Sequence, residues 1–537
     1  MAATTPLYEN VLSVSVCICH KMVLQSAYDN EGFHNNEPCG YDNEAAKTHT
    51  FDEAIELAGN GRYNIILLAT MSTAIIAMGL DMFGFSVIVT GASCDFQLDH
   101  AQKSILLSMP FGGSIIMAYP WGYISDTQGR RKSLLIALSI SYVVSTLSAF
   151  SPHWIVLAVL RFISTSFCSC AQSATYTLLG ESCSVRVKGA FLLIMTSVLN
   201  FGFATYMLIA YGILNQKFSY DLGLLTFIPW RLLTIVLALP LGISAISLFF
   251  LCESPKFLLN SNKEGQALEV IKRIWEINRQ DGLFPVKKLV LNEEGNVSSK
   301  DVPFLRSLWQ QTVPLFKPPL LFGTIKLFYL TSIIYSVSNA FYVWYPFLVD
   351  SIIGNLASPN ITGPAGLCEM ISFISSSSAA GSETSQIACV TGVDSTTVLG
   401  ALVSGVFTVA VNLAISKLSS RKKTLSISIF LISGLVGAAT TTVTNNIVAF
   451  ILFFGLAFVG LGIGVVFSYY VDLYPTSYRG MAACLGVMVA RLSGLGGINL
   501  IGAYITTNCE TTFYVCSAYM LSGALVSMSL PADRIKK

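Results

Sequence analysis

Twelve apolar stretches, each long enough to cross a bilayer, decide what this chain can fold into. They lie near residues 64–90, 101–124, 133–150, 154–180, 188–212, 230–252, 319–349, 397–417, 424–442, 446–472, 481–506 and 509–530. Within hydrocarbon, only helices and closed barrels satisfy every backbone polar group. A soluble bundle is excluded because the charged surface to cover so many apolar helices is missing. Of 537 residues, 53% are hydrophobic and only 12% charged, against about a quarter charged in a soluble domain. The expected fold class is an all-α membrane protein with twelve transmembrane helices. A formal net charge of +2 leaves no footprint for a nucleic-acid partner.

Basic residues set the expected orientation. With the N-terminus inside, Arg130, Arg131, Lys132, Arg186, Lys188, Lys256, Arg421, Lys422, Lys423, Arg479, Lys536 and Lys537 all fall in the cytoplasm, whereas 350–396 contains no Lys or Arg. The divisions are then a cytoplasmic tail (1–63), a six-helix bundle (64–252), a central cytoplasmic loop (253–318), a second six-helix bundle (319–530) with a lumenal loop (350–396), and a short cytoplasmic tail (531–537). The first tail is not expected to be a signal peptide, because its apolar run Val11 to Cys19 is short, follows Glu9 and lacks a basic leader. Residues 51–58 predict an amphipathic helix capped by Thr50, lying on the membrane surface and ended by Gly59 and Gly61. In the central loop, Asn262 can cap a helix with Ala267, Leu268, Ile271, Ile274 and Trp275 at helical spacing. That stripe packs under the bundle or offers a groove to a cytoplasmic protein partner.

The chain also repeats itself. Glu181 is followed seven residues later by Lys188 and then Gly189; Asp472 is followed seven residues later by Arg479 and then Gly480. The turn between the second and third stretches reads Gly122-Tyr123-Ile124-Ser125-Asp126-Thr127-Gln128-Gly129-Arg130-Arg131-Lys132, with a weaker echo at Ser419-Ser420-Arg421-Lys422-Lys423. Six spans plus six, with matching loops, predict duplicated halves around a site at the bilayer midplane.

These strings resemble the signatures of the major facilitator superfamily. Residues 122–132 fit its loop pattern G-x-x-x-D-x-x-G-R-[RK]; Glu253-Ser254-Pro255-Lys256-Phe257-Leu258-Leu259 resembles the P-E-S-P-R-W-L string of sugar and organic-ion transporters; Asp472-Leu473-Tyr474-Pro475-Thr476-Ser477-Tyr478-Arg479 resembles E-L-Y-P-T-x-x-R. Within that superfamily the chain is similar to the synaptic vesicle glycoprotein 2 and related-protein group, through Gly59-Asn60-Gly61-Arg62-Tyr63, Gly79-Leu80-Asp81 and Tyr342-Val343-Trp344-Tyr345-Pro346. It departs from the pattern at Leu418 to Arg421, where the Asp and Gly of the repeated loop are missing, and at Ile463 and Phe467, where a Trp and an acid are usual. The resemblance implies two pseudo-symmetric six-helix bundles that rock between two states. A secondary transporter of a small polar or charged organic solute follows, with a proton or ion as coupling partner. It equally allows a member that moves no solute and serves as a vesicle-membrane receptor or scaffold. A channel fits less well, having no use for two mirrored loop motifs. Plasma membrane and vesicle membrane are both open as locations.

Three charges stand out well inside the spans, Asp81, Arg161 and Arg491, where each needs a partner or a purpose. Asp81 and Arg161 are expected to pair, either as a cation, proton or anion site or as a fixed brace. Arg491 is expected to meet substrate or carbonyls between the halves. Tyr342 and Tyr345 can stack on a substrate. The resemblance makes a cytoplasmic gate of Gly122, Asp126, Gly129, Arg130, Arg131, Glu181, Arg186, Asp472 and Arg479. In that gate Asp126 pairs with Arg130, Glu181 with Arg186, and Asp472 with Arg479 or Arg421. Asn360-Ile361-Thr362 is a glycosylation sequon on the lumenal side, and Cys368 and Cys389 are the expected disulfide there. No His falls in a span, and the Cys have no metal spacing. With no Walker loop or nucleophile–base pattern either, neither a metal, a cofactor nor an enzymatic reaction is expected.

Overall fold

The fold follows from a computed structural model, which describes residues 48–279 apart from 222 and 224, together with 284–286, 288–290, 312–356, 367–368, 393–417, 421–443, 446–474, 476–505 and 507–531. The first bundle comprises span one (Arg62–Phe83 continued by Phe85–Ala92), two (His100–Gln128), three (Arg130–Ser148), four (Trp154–Cys168 and Cys170–Glu181), five (Val185–Leu214) and six (Pro229–Phe250). The second comprises span seven (Leu321–Leu356), eight (Ser395–Lys417), nine (Lys422–Thr442), ten (Asn446–Gly455 and Gly462–Leu473), eleven (Thr476–Tyr504) and twelve (Cys509–Met528). Ten spans are long and apolar enough to cross a membrane among the described residues. Spans two and three lie between them in sequence; span three begins with three bases and carries serines at 133, 139, 141, 145 and 148, which lower its hydropathy. Span ten tightens to a 3-10 turn at Leu456–Leu461. Gly455, Gly460 and Gly462 favour a local break in that stretch because glycine is a poor helix former.

The halves meet along two seams, span two against span eleven and span five against span eight. Small residues allow the close approach expected in lipid. A Cβ added at Gly497 would overlap the Ser336 backbone, and one at Gly494 the Asn339 side chain, so spans seven and eleven touch nearly backbone to backbone.

Four expectations are corrected. The helix Phe51–Ala58 does carry its Thr50 capping box, with Thr50 Oγ1 accepting from Glu53 N at 3.4 Å. Its apolar face packs on protein, however, and is not left open for a membrane surface. Its buried Phe51, Ala54, Ile55 and Ala58 share one core with Ala267, Ile271, Ile274 and Trp275 of the loop helix Glu264–Arg279. The loop stripe is therefore covered by this chain's own segment and is not an empty partner groove. Thr48–Thr50 also pairs in parallel with Lys288–Val290, and Asn278 donates to Gly59 O at 3.0 Å and to Asn64 Oδ1 at 2.8 Å. Asn262 does not cap the loop helix: at φ 57° it forms the left-handed turn before it, and the Lys263 carbonyl starts the helical ladder. Finally, Cys368 pairs with Cys509, not Cys389, at a Cα separation of 5.5 Å. Cys509 is the first residue of span twelve. Cys389 and Asn360 lie outside the described residues.

Candidate functional site

A cavity of about 750 Å³ lies between the two halves. Spans one, two, four and five line it on one side and seven, eight, ten and eleven on the other, with Lys422 and Leu425 of span nine at the rim. Gly122, Ser125, Asp126 and Lys422 place its mouth at the end carrying the basic loops. Aromatic rings close the opposite end: Phe203 lies 5.0 Å from Tyr342 and 4.8 Å from Tyr345, and Phe83 lies 6.0 Å from Tyr342, ring centre to ring centre. The Tyr206 hydroxyl donates to Tyr342 O at 3.3 Å across the halves. The molecule is thus sealed at one face and open at the other. Tyr342 lines the cavity as expected. Tyr345 does not: it is buried in the seal, its hydroxyl donating to Thr397 O at 2.9 Å.

Arg491 is the charge deep in this cavity. It is 2% exposed. Its Nη1 donates to Ser114 O at 2.6 Å and its Nη2 to Gln172 Oε1. Both acceptors belong to the first half, whereas Arg491 belongs to the second, so the guanidinium ties the halves together. Its Nε has no hydrogen-bond partner among the described residues. Gln172, Asn200, Asn339, Asn412, Tyr176 and Tyr335 give the remaining wall a neutral hydrogen-bonding character. Asp126, at the rim, is the only carboxylate among the described lining residues.

Asp81 and Arg161 pair, with Nη1 to Oδ1 at 2.5 Å and each side chain 1% exposed. Ser145 Oγ donates to Oδ1 at 2.7 Å and Ser164 Oγ to Oδ2 at 3.0 Å. The Arg161 guanidinium also lies over the Phe85 ring at 5.0 Å. Neither residue lines the cavity. Met78, Gly79, Met82 and Phe83 face it, and helical geometry turns Asp81 to the far side of span one, into the bundle. The arrangement is an internal brace, although Arg161 Nε and Nη2 have no hydrogen-bond partner among the described residues, and it corrects the expectation of a cavity-lining ion site.

At the basic end, Arg130 is the hub. Its Nη2 is 3.1 Å from Asp126 Oδ1 and its Nε 3.2 Å from Glu181 Oε2; Phe257 lies under the guanidinium at 5.0 Å. Ser254 Oγ also donates to Glu181. Arg186 does not take the expected place beside Glu181; it pairs with Glu56 at 2.5 Å, on the surface. Arg131 fixes span three to span six, donating to Leu248 O at 2.9 Å and Phe249 O at 2.7 Å. The Glu253 carboxylate accepts from Arg131 N at 2.9 Å and Lys132 N at 3.3 Å, capping the positive end of span three. Gly129 sits at φ +108°, where a side chain would be strained and a Cβ would press on Glu253 Oε2. Gly122 faces Cys484 across the seam. The side chains of Asp472 and Arg479 lie outside the described residues. Gln172 and Ser114 escaped the sequence reasoning because neutral polar groups in spans carry no charge to flag them. No metal-binding cluster occurs among the described residues.

Comparisons with known proteins agree with this architecture. The family model described as Major Facilitator Superfamily matches residues 70–498, well over half the chain. The synaptic vesicle 2-related protein of Xenopus laevis is 26% identical over 92% of this chain and 83% of its own length. Human synaptic vesicle glycoprotein 2C is 24% identical over 56% of this chain and 45% of its own. The Caenorhabditis elegans protein svop-1 is 28% identical over 49% of this chain, and the match spans only 48% of that relative. Among solved structures, a D-xylose-proton symporter superposes with a TM-score of 0.60 at 17% identity, covering 88% of this chain and 99% of its own. With the family model matched across both bundles and their seam, the chain belongs to the major facilitator superfamily.

Proposed function

We propose that the chain is a secondary active transporter of a small polar organic solute, working by alternating access with its basic end in the cytoplasm. The observation that carries this reading is the cavity between the halves, sealed by aromatics at one end and open at the other. Its walls suit a solute rich in hydrogen-bonding groups. Arg491 favours an anionic group over a cationic one, since no carboxylate lies beside it among the described lining residues. A proton or ion is the proposed driving partner, and Asp81 is badly placed to bind it, being sealed behind span one. The names of the synaptic vesicle relatives favour a vesicle membrane over the plasma membrane.

The deciding measurement is uptake by purified protein in proteoliposomes, across a panel of polar solutes, with and without a pH gradient. Saturable uptake of at least one solute is expected. If none moves faster than through protein-free vesicles, the receptor or scaffold reading replaces this one. Once a substrate is found, Asp126→Asn is expected to slow its turnover several-fold. Asp126 is the member of the Arg130 network that faces the cavity mouth, its side chain 71% exposed. Neutralising Arg421, Lys422 or Lys423 singly is expected to do less, and equal effects would count against an asymmetric latch.

A further inference from the structure

A second crevice, of about 300 Å³, opens sideways at the basic end of the first bundle. Tyr63, Ile66 and Thr70 of span one, Phe250 at the end of span six, and Arg273 and Ile277 of the loop helix are among its walls. None of these residues belongs to the central cavity. The surrounding surface is strongly apolar: Ile66 is 54% exposed, Ile246 66% and Phe250 68%. On membrane spans such side chains face hydrocarbon, so the crevice is continuous with the lipid-facing surface. Its other rim is formed by a helix outside the membrane, and there it carries a guanidinium.

One end of the crevice therefore suits methylene chains and the other suits a phosphate. A water-soluble metabolite would leave the apolar end unmatched, and a folded partner could not approach from within the bilayer. We propose that this crevice binds an anionic phospholipid of the adjoining leaflet, its net-negative headgroup on Arg273 and an acyl chain between Ile66 and Phe250. Charge-assisted bonds from a guanidinium to phosphate are strong and directional, and anionic headgroups concentrate at such basic rims. The loop helix is stitched to the start of span one through Asn278. A lipid seated here braces that junction from its lipid side.

The test is native mass spectrometry of the full chain in detergent, titrated with phosphatidylserine or phosphatidylcholine. The intact protein is expected to retain phosphatidylserine at least fivefold better. Arg273→Gln should remove that preference. Lys272→Gln, on the solvent side of the same helix, should keep it. Ile66→Trp, which fills the crevice without changing charge, should weaken retention of phosphatidylserine by at least threefold. Equal losses in Arg273→Gln and Lys272→Gln would show diffuse attraction to basic charge and overturn the proposal. Displacement of the lipid by glycerophosphoserine at matching concentration would also overturn it, because the acyl chain would then contribute nothing. Unfolding temperatures in lipid-free detergent identify any variant that has merely failed to fold. None of these readouts depends on transport.

Discussion

Replacing Arg161 by methionine is expected to destabilise the first bundle by about 3–5 kcal/mol, the usual cost of stranding one member of a buried ion pair. Asp81 accepts from Arg161, Ser145 and Ser164, and is 1% exposed. Without the guanidinium, its charge keeps two hydroxyls and no cation. Asp81→Leu alone should be comparably damaging, because it leaves the guanidinium buried with no counter-ion. The double change Asp81→Leu with Arg161→Met should recover most of the loss, since apolar residues of similar volume often replace such pairs at little cost. Unfolding in detergent, followed by the temperature at which the monomer peak is lost, gives the comparison. A double variant no more stable than either single one would show that the pair is not a brace. A proton-coupling role would appear differently: Asp81→Asn would fold normally yet lose the pH dependence of uptake.

That pair marks where sequence stops being informative. A charge inside an apolar run is conspicuous because burial is costly, so Asp81, Arg161 and Arg491 were visible, and residue counting put the first two at one depth. Which way they face is another matter. Helix rotation is set by packing, and only the lining positions Met78, Gly79, Met82 and Phe83 show that Asp81 points away from the cavity. The Thr50 cap was legible because it is local. Partners distant in sequence were not: Glu56 lies far from Arg186, Glu181 far from Arg130, and Cys368 far from Cys509. Nothing in the string distinguishes Gln172 from any other amide in a span, although it holds Arg491. The duplicated halves were legible in the repeated loops. The asymmetry was legible too, since the bases at 421–423 lack the acid that Asp126 supplies at the first.

Arg491→Ala is expected to lower transport efficiency roughly ten- to hundredfold, the equivalent of losing about 1.5–3 kcal/mol from a hydrogen bond to a charged group. The side chain has two tasks in the geometry. It ties span eleven to Ser114 and Gln172 of the first half, and it is the cation deep in the cavity, where a solute would meet it. The two tasks separate in the kinetics. Loss of a solute contact made equally in the ground and transition states raises KM, whereas loss of a tether between moving halves changes kcat. Gln172→Ala keeps the charge but removes the tether's side-chain acceptor and one amide of the cavity wall, so it should change kcat while raising KM for an anionic solute less than Arg491→Ala does. Arg491→Lys should fall between, retaining charge without the planar fork. If Arg491→Ala and Gln172→Ala alter kcat alike and leave KM untouched, then Arg491 serves only to hold the halves together. The solute is in that case recognised by the neutral amides and hydroxyls, and an uncharged substrate becomes the better expectation.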